Sequence, residues 1–314
     1  MCDGVERREM RFQGINLWLV VIGGMIGWVV CCSPKHSKLS EELSPQVSGE
    51  NFSSVPGNLE RYWTRFSVRD SSRLQDPKQG EMLFSRFVIL SRKQGKEQRK
   101  RVWGTFVRHF SSHRVLFQLA CGWAEKYLYE PDSPLRNDEL YIDFLSLALT
   151  SSVGDEAFRE RARFQKELLL KNREGMPAED FSYLASDGKK NRLYTTSGER
   201  LLLFFHDPDC SICQQERKWM AGHPAIQAAV KRKELVVLTI YPDSLKEIWL
   251  KSVKEFPAEW INGYEEGAIR HQCSYDLRAL PAWYLLDAKK RVLLKDVSPD
   301  SIVRYLESRL SSKN

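Results

Sequence analysis

The sequence predicts an α/β domain, a central sheet covered by helices, preceded by a mostly α-helical domain. Three observations predict it. Between Asn58 and Asn172 the apolar residues recur at three- and four-residue spacings, the period of buried helix faces. At Gly175 the pattern changes to short apolar runs alternating with amphipathic stretches, as in a sheet layered with helices. The chain's 314 residues, 42% hydrophobic and 28% charged, match about two globular domains and exclude a wholly disordered, collagenous or polytopic membrane chain.

The N-terminus reads as an export signal. Arg7, Arg8 and Arg11 precede an apolar run from Ile15 to Cys32, and a polar stretch rich in serine, proline and lysine follows at once. A permanent membrane span takes about 20 apolar residues, so the run is marginal as one. The arginines hold the terminus inside and pass the remainder outward. Val29-Val30-Cys31-Cys32-Ser33 resembles a bacterial lipoprotein signal, which implies lipidation at Cys32 (or Cys31); an uncleaved anchor and a plain cleaved signal are the alternatives. The expected organisation is a signal or anchor over 1–32, a flexible tether over 33–57, a helical domain of unknown function over 58–172 and a second domain over 175–314.

Lysine plus arginine number 48 against 41 acidic residues, a net charge of +7, but the excess is spread along the chain. Its one dense run, Ser91 to Arg101, reads as a solvated helix face or loop, so nucleic acid is not an expected partner. In the helical domain, Glu81 to Leu90, Trp103 to Phe110, Val115 to Tyr129, Leu140 to Leu149 and Asp155 to Leu170 read as amphipathic helices, punctuated by Pro131 and Pro134. Trp103, Trp123 and Cys121 read as core. His109 and His113 stand four apart, yet no further ligand follows in a metal-like spacing, and they read as surface residues of one helix.

In the second domain Leu201 to Phe205 and Leu235 to Ile240 read as buried strands. Ser211 onward and Asp243 to Phe256 read as helices, and Ala282 to Leu286 with Val292 to Leu294 as a hairpin around Asp287 to Arg291. A last helix runs from Pro299 to Leu310, with Ser298 as its cap.

The chemistry sits where the first of these strands gives way to a helix. Cys210-Ser211-Ile212-Cys213 opens the helix after His206-Asp207-Pro208-Asp209. A cysteine at a helix N-terminus meets unpaired backbone N–H groups, which favour its thiolate; one turn inward, a second is placed to attack a mixed disulfide formed by the first. Cys210 is therefore the candidate nucleophile and Cys213 the candidate resolving thiol. Half a zinc site with His206, His271 or Cys273, and a structural disulfide, are the alternatives. No bound cofactor and no metal is expected, since the pair itself carries the electrons. Cys121 and Cys273 are left as buried thiols or a second bridge, a matter of distance.

The segment Tyr275-Asp276-Leu277-Arg278-Ala279-Leu280-Pro281-Ala282-Trp283, together with the C-x-x-C, resembles the thioredoxin fold, with its mixed central sheet. The resemblance implies a cis Leu280–Pro281 bond beside Cys210, with Leu280 and Pro281 shaping a substrate groove. With the export signal and the opening Gly175 to Gly188, in which an extended Asp-Phe segment leads to an Asp-Gly turn, residues 175–314 resemble the TlpA/ResA-like branch of exported, membrane-tethered thiol-disulfide oxidoreductases. Tyr127 to Tyr141 and Lys171 to Gly175, with His206 to Cys213 and Arg278 to Asp287, resemble a group of bacterial lipoprotein-like chains that join a helical domain of unknown function to a thioredoxin-like one, a resemblance that covers most of the mature chain. Three positions depart from thioredoxins proper: Phe204 replaces the buried carboxylate that serves the second cysteine, Ser211-Ile212 replaces Gly-Pro, and Asp209 replaces an aromatic residue.

Asp207 and Asp209 are candidates for tuning the thiol. They either disfavour the Cys210 thiolate by like-charge repulsion, or Asp209 caps the helix by accepting the Ile212 N–H while Asp207 is solvated. The expected protein is a membrane-tethered, extracytoplasmic thiol-disulfide oxidoreductase of the bacterial cell envelope, with protein thiols or disulfides and a redox partner as its partners. The competing expectation is a non-catalytic cell-surface binding module on the same scaffold.

Overall fold

The computed structural model describes residues 59–64 and 66–311. The apolar run from Ile15 to Cys32, the lipidation candidates Cys31 and Cys32 and the tether 33–57 lie outside the described residues. Among those residues, no helix is long and apolar enough to cross a membrane.

Among the described residues, the first region holds the helices α1 (Ser71–Gln75), α2 (Pro77–Arg92), α3 (Lys96–Phe110), α4 (Arg114–Ala124), α5 (Asp138–Ala148) and α6 (Glu156–Leu170). A single π-helical turn, Glu125–Tyr129, extends α4. Their starts are written locally. Asp76 accepts the Lys78 N–H at 2.9 Å with Pro77 in the first helical position, where a missing N–H costs nothing. Asn137 and Asp155 cap α5 and α6 in the same way, accepting the N–H groups of Leu140 and Phe158, each at 2.9 Å. The helices close on an aromatic centre in which Phe106 and Phe110 approach to 4.6 Å and Phe87 meets Trp103 edge-on at 5.1 Å. Trp103 and Trp123 are core as expected, while Cys121 is half-buried against the cluster. His109 and His113 do not share a helix: α3 ends at Phe110, and His113 caps α4, its Nδ1 accepting the Val115 N–H at 3.3 Å.

The second region is a seven-stranded mixed sheet in the order β2-β1-β5-β4-β3-β6-β7. Its strands are β1 (Ser182–Ala185), β2 (Lys190–Arg192), β3 (Arg200–Phe205), β4 (Val236–Pro242), β5 (Ile261–Glu265), β6 (Ala282–Asp287) and β7 (Val292–Lys295). Strands β3, β4 and β5 run parallel, and the other pairings are antiparallel. Helices α7 (Ser211–Gly222), α8 (Pro224–Lys231), α9 (Lys246–Ser252), α10 (Ala268–His271) and α11 (Pro299–Ser311) complete the region.

Strand β3 lies at the centre, and its alternation divides the core. Leu201, Leu203 and Phe205 pack into one cluster, Leu202 and Phe204 into the other, because successive side chains of a strand face opposite ways. Phe204 lies opposite Trp283 of β6 in the ladder, and their rings stack at 3.8 Å.

Strand β5 and helix α8 are absent from the sequence expectation, each for a physical reason. The β5 sequence INGYE is too polar to read as a buried strand, yet Asn262 Oδ1 accepts the Thr239 hydroxyl at 2.8 Å from β4. The buried Glu265 carboxylate accepts the N–H groups of Gly267, Ala268 and Ile269. Only the folded chain supplies those partners. Pro224 ends the expected single helix after Ser211, because the residue before a proline is pushed out of the helical region; His223, at ψ 125°, closes α7 and opens α8. Helix α9 begins at Lys246 rather than Asp243, since the Asp243 carboxylate takes the Ser244 N–H at 2.6 Å and holds a turn there.

The two regions meet along a polar seam. Lys295 Nζ reaches the Asp138 carboxylate at 3.2 Å and the Leu169 carbonyl at 3.1 Å, and Arg136 meets Asp296 at 2.6 Å. Asn172 donates to the Ser274 carbonyl at 2.8 Å. Arg278 lies 3.3 Å over the Tyr129 ring and donates to its carbonyl at 2.6 Å, which ties the segment before Pro281 to the π-helical turn.

Candidate active site

Cys210 is the N-cap of α7, with φ −80° and ψ 116°. The turn that places it there is closed twice: the Cys210 N–H donates to the Asp207 carbonyl at 3.1 Å, and Gln214 Nε2 donates to the Pro208 carbonyl at 2.6 Å. The cap is therefore the cysteine sulfur, which accepts the Cys213 N–H at 3.2 Å, and not Asp209. Asp209 stands exposed one residue earlier, its own N–H given to Asp207 Oδ1 at 2.9 Å. Asp207 is half-buried within this turn rather than simply solvated.

The two sulfurs differ in access. Cys210 is half-buried and Cys213 is 2% exposed, with Ile212 between them 55% exposed. Both are free thiols, not joined by a disulfide bond. The Leu280–Pro281 peptide is cis, and the Cys210 thiol faces the Leu280 carbonyl at 3.7 Å. The structure thus brings Cys210, Cys213, Leu280 and Pro281 together. Glu216 fixes α7 to the sheet by accepting the Trp283 Nε1–H at 2.7 Å.

Burial, above all, raises the Cys213 thiol well above its ordinary range; the Asp207 backbone opposes this, and the Cys210 sulfur and Asp207 charge reinforce it. Cys213 is a protonated thiol at neutral pH. Beside it, His206 is 2% exposed, and burial followed by the Arg217 guanidinium holds its imidazole down to about 3. Arg217 is itself held by Glu255, donating to its carbonyl and its carboxylate, each at 2.7 Å.

A pH prediction follows from His206. The unfolded imidazole takes its proton near its ordinary value of 6.5 and the folded one only near 3. Its contribution to stability is therefore complete above pH 6.5 and is lost as pH falls through that window, with a limiting slope of about 1.4 kcal/mol per pH unit. Denaturant unfolding between pH 7 and pH 4.5 should show a shallower loss for His206→Phe than for the parent chain. Parallel profiles would refute this assignment.

Sequence reasoning named His206 only as a metal candidate and did not name Arg217 or Glu255, which chain separation hides. Among the described residues no group of three or more His, Cys, Asp or Glu side chains comes together around a metal-sized space, and His271 and Cys273 lie instead against α6. Cys121 is a free thiol, so it does not bridge to Cys273, and burial pushes it up to about 12.

A mixed sheet with a thiol pair at the head of the helix after its central strand, faced by a cis-proline loop, defines the thioredoxin-like class. The chain is 31% identical to a thioredoxin-like protein from Bacteroides caccae of known crystal structure, over 83% of this chain and 97% of that one, with a TM-score of 0.76. It belongs to this family of thioredoxin-like proteins. A family model described as a domain of unknown function (DUF5106) matches residues 58–172. The C-terminal domain of an uncharacterized Bacteroides fragilis protein is 40% identical over 43% of this chain and 98% of its own, with a TM-score of 0.43. The thioredoxin domain of a Bacteroides vulgatus thiol-disulfide oxidoreductase is 20% identical over 44% and 97%, with a TM-score of 0.39. No curated protein matches the chain.

Proposed function

We propose that the protein is a thiol-disulfide oxidoreductase acting on protein disulfides through Cys210 and Cys213. The observation that carries the reading is the Cys210 sulfur, accessible at the head of α7 and 3.7 Å from the Leu280 carbonyl that precedes the cis-proline. An extended substrate chain pairing with the backbone at Leu280 would bring its disulfide to that sulfur. Cys210 attacks, a mixed disulfide forms, and Cys213 resolves it. Leu280 and Pro281 shape the groove, and a redox partner restores the dithiol.

The charged terminus and apolar run from Ile15 to Cys32 support a place outside the cytoplasm, tethered to a bacterial envelope membrane through Cys32 or Cys31. Cell fractionation with metabolic lipid labelling tests this, and label independent of both cysteines would exclude lipidation there. For the chemistry, a Cys213→Ser variant should accumulate mixed disulfides at Cys210, visible as reductant-sensitive adducts in the envelope fraction. A variant that traps nothing, in a parent whose dithiol never cycles in a redox buffer, would leave the binding-module reading in its place.

A further inference from the structure

Behind Cys213 lies a small cavity of about 10 Å³, the size that holds a single water. Three elements line it. His206 and Asp207 come from the end of β3 and its turn, Cys213 and Arg217 from α7, and Ser252 and Glu255 from α9 and the turn after it. One wall carries an orphan group: Nε2 of the buried His206 has no hydrogen-bond partner among the described residues. A buried polar atom is costly unless it is satisfied, and a water here would satisfy it.

The same cavity meets a chemical need. The resolving thiol must lose a proton before it attacks, and Phe204, stacked between Trp283 and His206, offers no carboxylate. We propose that the cavity holds one water, fixed by His206 Nε2, through which the Asp207 carboxylate takes the proton of Cys213 during resolution. This deepens the redox reading and rests on it.

The neighbours assign the roles. Burial and Arg217 keep the His206 imidazole neutral over the working range, so it orients the water and carries no net proton. Glu255 is engaged by Arg217. The Ser252 hydroxyl is donated to the Trp249 carbonyl at 2.8 Å. Asp207 lines the cavity, half-buried in the active-site turn with one carboxylate oxygen, Oδ1, accepting the Asp209 N–H at 2.9 Å, and its charge reaches Cys213.

In the step itself the Cys213 sulfur forms a bond to the Cys210 sulfur. The bond between Cys210 and the substrate sulfur breaks, its electron pair leaving on the substrate. The substrate disulfide is thereby reduced by two electrons and the cysteine pair oxidised. The Cys213 proton passes through the water to Asp207 and on to solvent, from which the departing thiolate takes one up.

Single-turnover reaction of the reduced full-length chain with limiting 5,5′-dithiobis(2-nitrobenzoate), with the release from a Cys210→Ser/Cys213→Ser chain subtracted for the other cysteines, separates the steps, because attack by Cys210 releases one thionitrobenzoate and resolution by Cys213 a second. At pH 7, Asp207→Asn should slow the second release by roughly 10²-fold, the deficit shrinking toward pH 9 as hydroxide takes over, and Asp207→Glu should recover part of it. His206→Phe should slow the same release and carries the test if Asp207→Asn does not fold by circular dichroism. A second release at the parent rate, or a deficit equal at every pH, would overturn the proposal while leaving the redox reading intact. A parent chain that gives no second release at all would overturn both.

Discussion

A Cys210→Ser variant should reduce a protein disulfide no faster than the uncatalysed exchange, a loss of essentially all turnover. Catalysis here is nucleophilic, and a serine hydroxyl ionises far too weakly to replace a thiolate. The substitution is nearly isosteric at a half-buried position, and the serine oxygen can accept the Cys213 N–H that the sulfur accepts now at 3.2 Å. The fold should therefore survive, so loss of activity with an unchanged melting temperature isolates the chemistry. Turnover equal to that of the parent chain would sink the oxidoreductase reading. The companion Cys213→Ser keeps the nucleophile and should stop after the first half of the reaction.

The largest structural effect is expected at Arg278, which binds both oxygens of Asp276 at 2.7–3.0 Å while lying against Tyr129 of the helical region. The Asp276 side chain is 2% exposed. Arg278→Met would keep much of the packing and leave that carboxylate buried without its guanidinium, at a cost of about 3–5 kcal/mol. Denaturant unfolding should report the loss, and adding Asp276→Asn should recover part of it, because the uncompensated charge is then gone. A loss below about 1 kcal/mol would show the pair to be no more than a surface ion pair. The variant should also alter the rate at which Cys210 reacts, since Arg278 stands two residues before Leu280.

Local signals made much of the molecule legible. Asp155 opens α6 where the sequence placed that helix, and the run LLLFF, typical of a buried strand, is one; Asp76 and Asn137 cap α2 and α5 ahead of the expected starts at Glu81 and Leu140. The C-x-x-C at the strand-to-helix junction was legible from its neighbours in the chain, whereas Pro281 entered the site only through the resemblance to the thioredoxin fold; by itself it reads as a proline that opens a strand. Strand β5 was not legible, since its polar residues become acceptable only against Thr239 and the start of α10. The helix cap went to Cys210 rather than Asp209 because the turn over 207–210 is closed by contacts with Asp207 and Gln214.

The amino-acid order by itself determined the two regions, the strand-helix alternation and the identity of the paired thiols, since periodicity, capping and turn chemistry act over a few residues. Only the tertiary structure decided what surrounds those thiols: the apolar stack of Phe204 on Trp283, the buried His206, the Arg217–Glu255 clasp and the hold of Tyr129 on Arg278. These contacts join residues as many as 149 positions apart. The desolvation that sets the state of Cys213 arises only when such distant segments exclude water together.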